Sequence, residues 1–263
     1  MAGESPEQEE PMKSTAASLL FAFSILSAAA THAAIVKVQD IGTGTAPPSA
    51  PIILPVPAGG VAFGDVVLLQ LAFSPTVPPP AVVDSKGNPY VIDGIAPSTS
   101  MSVAVYRGTV LTALVLGDLI TVLPPGPPGN FMAASATEFS GLIFPASPVD
   151  TSAIGTGVSP APTTGPTGPT AQANELLLGA VGTLGTGAPS SFTPGSGYTA
   201  LGATFVAIGP AALQILPEFQ IVSATGTYVA DGTFAFPPQE WDASIVTYED
   251  VVAPVTLQSF TAE

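Results

Sequence analysis

Proline and glycine recur every few residues through most of this chain, 30 and 27 of them in 263. Proline inside a helix removes a hydrogen bond and clashes with the preceding turn, and glycine there costs about 1 kcal/mol. Helix signals are accordingly almost absent. Between the interruptions lie β-branched and aromatic runs of about five to ten residues, the pattern of an all-β sandwich or barrel. AIVKVQD from residue 34, DVVLLQLAF from 65, MSVAVYRG from 101, ELLLGAVGTL from 175 and WDASIVTYED from 241 are among the strand candidates. In MSVAVYRG, Met101, Val103 and Val105 face one way, and Ser102, Ala104 and Tyr106 the other. Val66 to Leu71 is apolar on both faces, which predicts a central strand covered on both sides. VDSKGNPY (83–90) reads as a hairpin, with Asp84, Gly87 and Asn88 supplying the turn chemistry.

Three anchors recur at an offset of 110 residues. Asp65-Val66-Val67-Leu68 answers to Glu175-Leu176-Leu177-Leu178, and Pro127-Pro128 to Pro237-Pro238. Phe131, Ala133 and Thr137 answer to Trp241, Ala243 and Thr247. The expectation is an antiparallel β-sandwich, Ig-like or jelly-roll, spanning 34–250 and built from duplicated halves at 64–140 and 174–250. Small halves bury little core alone, so one shared sandwich is favoured over two. GTGVSPAPTTGPTGPTAQ (155–172) would join the halves as an extended or loose linker.

AASLLFAFSILSAAA (16–30) behind Lys13, closed by Thr31-His32-Ala33, reads as a signal peptide. It is short for a membrane span, which needs about 20 apolar residues. Residues 1–33 are expected to be removed, and the mature chain to be secreted or displayed at the cell surface, with no membrane span. Removal takes away His32, the sole histidine.

Charged residues are 9% of the chain, and the net charge is −15. Four cations, Lys13, Lys37, Lys86 and Arg107, cannot build a phosphate-binding surface, so nucleic acid is excluded as a partner. There is no cysteine, hence no disulfide or thiolate site. Without His or Cys in the mature chain most nucleophile–base arrangements disappear, and no enzyme activity or cofactor is expected. Glu138 and Glu249, near equivalent strand ends, are the best carboxylate pair for glycoside chemistry, yet they read better as solvated strand ends. Asp84 with Asn88, and Glu240 with Asp242, are the oxygen donors nearest a calcium pattern, but neither forms a recognised loop. Trp241 and Tyr90 are the candidate sugar contacts, although Trp241 sits where its repeat partner is Phe131, an apolar core position.

Taken together, KVQDIGTGT, GDVVLLQLAF, VVDSKGNPY, ATEFSG, ANELLLGAVGT and WDASIVTYED give a chain that resembles a widespread family of uncharacterised bacterial extracellular Ig-like or jelly-roll modules over about residues 35–250. The resemblance implies the fold and no activity. The tail PVTLQSFTAE is similar to the opening strand of fibronectin type III-like modules, so 251–263 would be a last strand or the start of a second domain.

Two functions follow as expectations. One is a structural subunit that polymerises with copies of itself into an extracellular filament or adhesin. The other is a carbohydrate-binding module with a polysaccharide partner. The near-absence of Lys leaves sheet edges unprotected and favours the first. The first mature strand, Ile35, Val36, Lys37 and Val38, is the candidate donor strand. IGTGTAPPSAP would detach it so that it could pair with a neighbour.

Overall fold

The apolar run Val66–Phe73 is buried at every position, because it separates two cores. In the computed structural model, which describes residues 34–75, 78–125, 130–186, 191–235 and 239–251, all regular elements are strands. The leader, both Pro-Pro anchors and the tail after Val251 lie outside the described residues. In the first part of the chain β1 is Val36–Ala46, β2 Ile52–Pro55, β3 Val66–Phe73 and β4 Ala81–Asp84. There follow β5 Tyr90–Pro97, β6 Ser102–Thr109, β7 Leu119–Leu123 and β8 Met132–Ser140. In the second part β9 is Val149–Ser159, β10 Asn174–Thr186, β11 Phe192–Pro194 and β12 Thr199–Ala200. The last are β13 Thr204–Ile208, β14 Ala211–Ser223, β15 Gly232–Phe234 and β16 Gln239–Glu249.

The strands form an antiparallel, multilayered sandwich. One sheet runs β1-β8-β3-β6-β5 and a second runs β12-β14-β10-β16-β9, with β13 also on β14. Val66, Leu68, Val103 and Val105 from the first meet Leu176, Leu178, Ile215 and Val246 from the second in a shared core. Val67, Leu69, Leu71, Ala104 and Tyr106 point the other way, into a core closed by the small sheet β2-β7-β4. Each part of the chain thus makes its own sheet, and the two sheets share one interior.

Matched as β1, β8, β3, β6, β5 with β9, β16, β10, β14, β12, the two sheets have the same strand order. The 110-residue offset does not carry through them. Leu68 and Leu178 both enter the shared core. Ala133 pairs with Ala72, which faces Gly182 across that core, and Gly182 pairs with Asp242. Ala133 is therefore on the face of its sheet that meets Gly182, while Ala243, one position beyond Asp242, is on the other face of its own sheet. Gly182 has no room for a side chain, since a Cβ would lie 2.3 Å from Val103 Cγ2.

Two local expectations need correcting. Asp84 to Asn88 is a turn, with Asp84 Oδ1 accepting from the Lys86 and Asn88 N–H groups, but it is not a hairpin. The strand before it, β4, pairs with β7, and the strand after it, β5, pairs with β6. Turn chemistry is local, whereas the choice of sheet is decided by which apolar face each strand must bury.

Nor is 155–172 a loose linker. Its first residues belong to β9, and the rest is a strap along Gly226–Ala230. Thr164, Thr167 and Thr170, three residues apart, donate their backbone N–H groups to the carbonyls of Ala230, Tyr228 and Gly226. Their hydroxyls accept the N–H groups of the same three residues in return. This satisfies the buried backbone that an unpaired Pro/Gly segment would leave open. The strap covers a small apolar cluster of Leu177, Ala230 and Ile245 with Tyr198 and Tyr228.

Candidate functional site

The candidate donor residues lie on or just before the edge strand β1. Ile35 is buried, while Val36 and Val38 face solvent, 48% and 46% exposed. The strand does not end at Val38. It runs on through Gly42-Thr43-Gly44-Thr45, and all of it lies against β8, from Val36 opposite Ser140 to Ala46 opposite Met132. The reading of IGTGT as a break is therefore corrected. Thr and Gly hold an extended ladder when a partner strand is present, and Gly44 is required by packing: a Cβ there would lie 2.5 Å from Ile52 Cγ2. Register shifts at Val38 and Ile41 divide the strand, and the second turns Ile41 into the core beneath β2. In this single chain β1 occupies the slot beside β8 of its own subunit.

Among the described residues the outer side of β1 has no strand partner. Lys is the usual guard of such edges. Lys37 does lie on β1, but its ammonium is held by Asp40 at 2.8 Å. The opposite side of the molecule carries two further edges, β5 and β9, with Val91, Ile92, Ile154 and Val158 exposed.

Buried carboxyl groups are the second feature. Glu138, on β8, is 1% exposed and accepts hydrogen bonds from Gln39 Nε2 at 2.6 Å and from the Ala62 N–H at 3.2 Å. Beside it, Asp65 is pushed up to about 7, by burial first and then by Glu138. Glu218, in the middle of β14, is fully buried and neither oxygen makes a hydrogen bond. Burial, with Asp231 nearby, pushes it up to about 8. Asp242 is also fully buried, and is raised to about 6 by burial, against a lowering by Ser98. Glu175 opens β10 opposite Glu249, and its oxygens lie within 4.8 Å of those of Asp150 and Glu249. Burial pushes Glu175 up to about 7, with Asp150 adding to the rise.

The structure separates Glu138 from Glu249: one closes the corner at β1, β3 and β8, and the other the corner at β9, β10 and β16. Neither is a freely solvated strand end, since Glu138 is buried and Glu249 is partly so. Asp84 and Asn88 satisfy one another, with Asn88 Nδ2 donating to Asp84 Oδ2 at 2.9 Å and to the Thr112 carbonyl. Those oxygens are committed to a turn. Glu240 lies beside Asp242 and raises its pKa, with no third carboxylate among the described residues in reach of them. Trp241 is 5% exposed, its Nε1 donates to Ser159 Oγ, and its ring covers Gly157. It offers no open face to a sugar. Tyr90 is half-buried, its ring lies over Gly108, and its hydroxyl is enclosed.

Sequence reasoning missed Asp150, Glu175 and Glu218. The available signal was an acid set inside an otherwise apolar strand, as in ELLLGAV and ILPEFQIV. No helix among the described residues is long and apolar enough to cross a membrane. Compared with protein-family models, curated proteins and solved structures, the chain matches none.

Proposed function

We propose that this chain is a secreted, non-enzymatic structural subunit that assembles with copies of itself into an extracellular filament or surface array. The observation that carries the reading is β1, a long edge strand that among the described residues pairs with one neighbour, β8. A neighbour's β1 entering the same slot beside β8 would keep the whole ladder and the burial of Ile35 and Ile41. Such a contact is heterologous, and repeated head to tail it does not close. Exposed Val36 and Val38, and the unguarded β5 and β9 edges, fit a surface covered by other copies. Self-association is favoured over carbohydrate binding because the one tryptophan is inside. The resemblance to extracellular Ig-like or jelly-roll modules belongs to the same reading.

Deleting residues 34–40 tests it. The expected product is folded by far-UV circular dichroism and monomeric by light scattering, while the intact mature chain forms long polymers visible by negative stain. A mature chain that stays monomeric at high concentration, or a deletion variant that still polymerises, overturns the reading.

A further inference from the structure

We propose that Asp150, Glu175 and Glu249 together bind a calcium ion. Three neighbouring strands deliver them. Glu249 closes β16, Glu175 stands directly opposite on β10, and Asp150 is at the start of β9 on the other side of β16. Their carboxylate oxygens lie within 4.8 Å of one another. Calcium takes oxygen ligands at about 2.3–2.6 Å, so one ion reaches all three.

Glu175 points to a ligand independently of the clustering. It is 0% exposed, and neither of its oxygens is in hydrogen-bonding geometry with a donor, although the Thr247 hydroxyl, Asp150 and the Gln172 backbone N–H lie beside it. A buried polar group left in that state is costly. No cation of the described chain is free to supply the missing partner. Lys37 is bound to Asp40, Lys86 to Asp118 and Arg107 to Asp93.

The corresponding corner of the first sheet shows what a closed solution looks like. There Glu138 receives Gln39 Nε2 and the Ala62 N–H, so amide donors stand where the second sheet places Asp150. In the second corner the acid Asp150 stands where the first has the Gln39 side-chain amide, and the nearby donors are backbone N–H groups, Ala171 on Asp150 and Gln172 beside Glu175. Asp150 and Glu249 are partly open, which gives an entry path and room for water ligands. An all-oxygen set suits a hard cation and disfavours zinc.

The ion would also have a mechanical consequence. The Ala171 N–H, at the end of the strap, donates to Asp150 Oδ2 at 2.7 Å. Gln172 Nε2 donates to the Asn174 carbonyl and to Asp250 Oδ1. A cation on Asp150 fixes the strap's last residues to β9, β10 and β16, and thereby holds the cover over Leu177 and Ile245.

The test is titration of the full chain, stripped with EDTA, at pH 7.5. Calorimetry with CaCl2 should give one ion per chain with a dissociation constant on the order of 0.1–1 mM, the range of extracellular modules. Saturating CaCl2 should raise the melting temperature by several degrees, with MgCl2 at the same concentration doing markedly less. Glu175→Gln and Asp150→Asn should each abolish the calcium-dependent shift while keeping the far-UV spectrum. Absence of both heat and shift in the folded wild type overturns the proposal, as does calcium binding that survives both substitutions. A Glu175→Gln variant that matches the calcium-loaded melting temperature, in a wild type indifferent to calcium, would make the cluster a proton-sharing one and overturn it too. These readouts are independent of polymer formation, so they fail or succeed separately from the filament reading.

Discussion

Raising the pH from 4 to 8 should destabilise this protein, the reverse of the usual behaviour of a carboxylate-rich fold. Glu218, Asp65 and Asp242 are held at about 8, 7 and 6, against ordinary values near 4. Burial is the first cause at each, with Asp231 and Tyr198 facing Glu218, Glu138 facing Asp65, and Glu240 and Ser98 facing Asp242. Each group has its folded pKa above its unfolded one. Between those values the native state holds the proton and the unfolded chain does not, so stability falls as pH rises through that window. Below about pH 4 both states are protonated and the contribution is complete. One pKa unit corresponds to about 1.4 kcal/mol, which sets an upper bound of about 5 kcal/mol for Glu218 alone. Relaxation and water entry reduce such figures, and the expected loss for the three groups together is on the order of 3–5 kcal/mol. That is a large part of a typical stability of about 5–15 kcal/mol. With a urea slope of about 2–3 kcal/mol per M, the unfolding midpoint should drop by about 1–2 M between pH 4 and pH 8. Glu218→Gln keeps the shape without the charge, and should raise the pH 8 midpoint while leaving the pH 4 midpoint nearly unchanged. A midpoint that is flat or rises with pH, or a Glu218→Gln protein weaker than wild type at pH 8, would refute the reasoning.

Four further outcomes follow from named contacts. Arg107→Met leaves Asp93 buried without its partner at 2.8 Å, and should cost about 3–5 kcal/mol in urea unfolding. Gly182→Ala places a methyl against Val103 in the shared core and should cost about 1–3 kcal/mol, read as a lowered melting temperature. Thr167→Val removes the hydroxyl that accepts the Tyr228 N–H and should cost about 1–3 kcal/mol, with faster amide exchange at Tyr228. Val36→Cys with Ser140→Cys, paired across β1 and β8 in a cysteine-free chain, should give covalent ladders on an oxidising gel if strands are exchanged, and an internally bridged monomer if they are not.

The parts of this fold that could be read from the sequence were those set by local periodicity. Val66–Phe73, apolar at nearly every position, does lie between two cores, because a strand covered on both faces has no reason to alternate. Asp84, Gly87 and Asn88 do make a turn, although the strands that flank it join different sheets. Composition alone hides the strap, whereas spacing reveals it. Thr164, Thr167 and Thr170 share one phase, and that phase is what matches the carbonyls and N–H groups of Gly226, Tyr228 and Ala230. IGTGT is hidden for a related reason: residues with weak strand preference still pair when a neighbouring strand holds them. The buried acids stayed hidden behind the rule that charged residues lie outside. That rule concerns charge, and a carboxyl group can be neutralised.

The shortage of cations dictates how. Glu138 is met by an amide, Gln39. Asp93 takes the one arginine. Glu218 faces another acid, Asp231, with Tyr198 and the Gly195 backbone N–H but no cation, so a proton is what remains to it, and its stability contribution must vanish as the pH rises. Asp150, Glu175 and Glu249 form a triple with no side-chain amide or cation on Glu175. A single shared proton leaves two charges in that corner, whereas a divalent ion neutralises two carboxylates and brings all three to one centre. The same scarcity of Lys and Arg that leaves the β1 edge unguarded therefore makes Glu218 sensitive to protons and the β9–β10–β16 corner sensitive to calcium. In a chain with three more well-placed lysines, neither dependence would be expected.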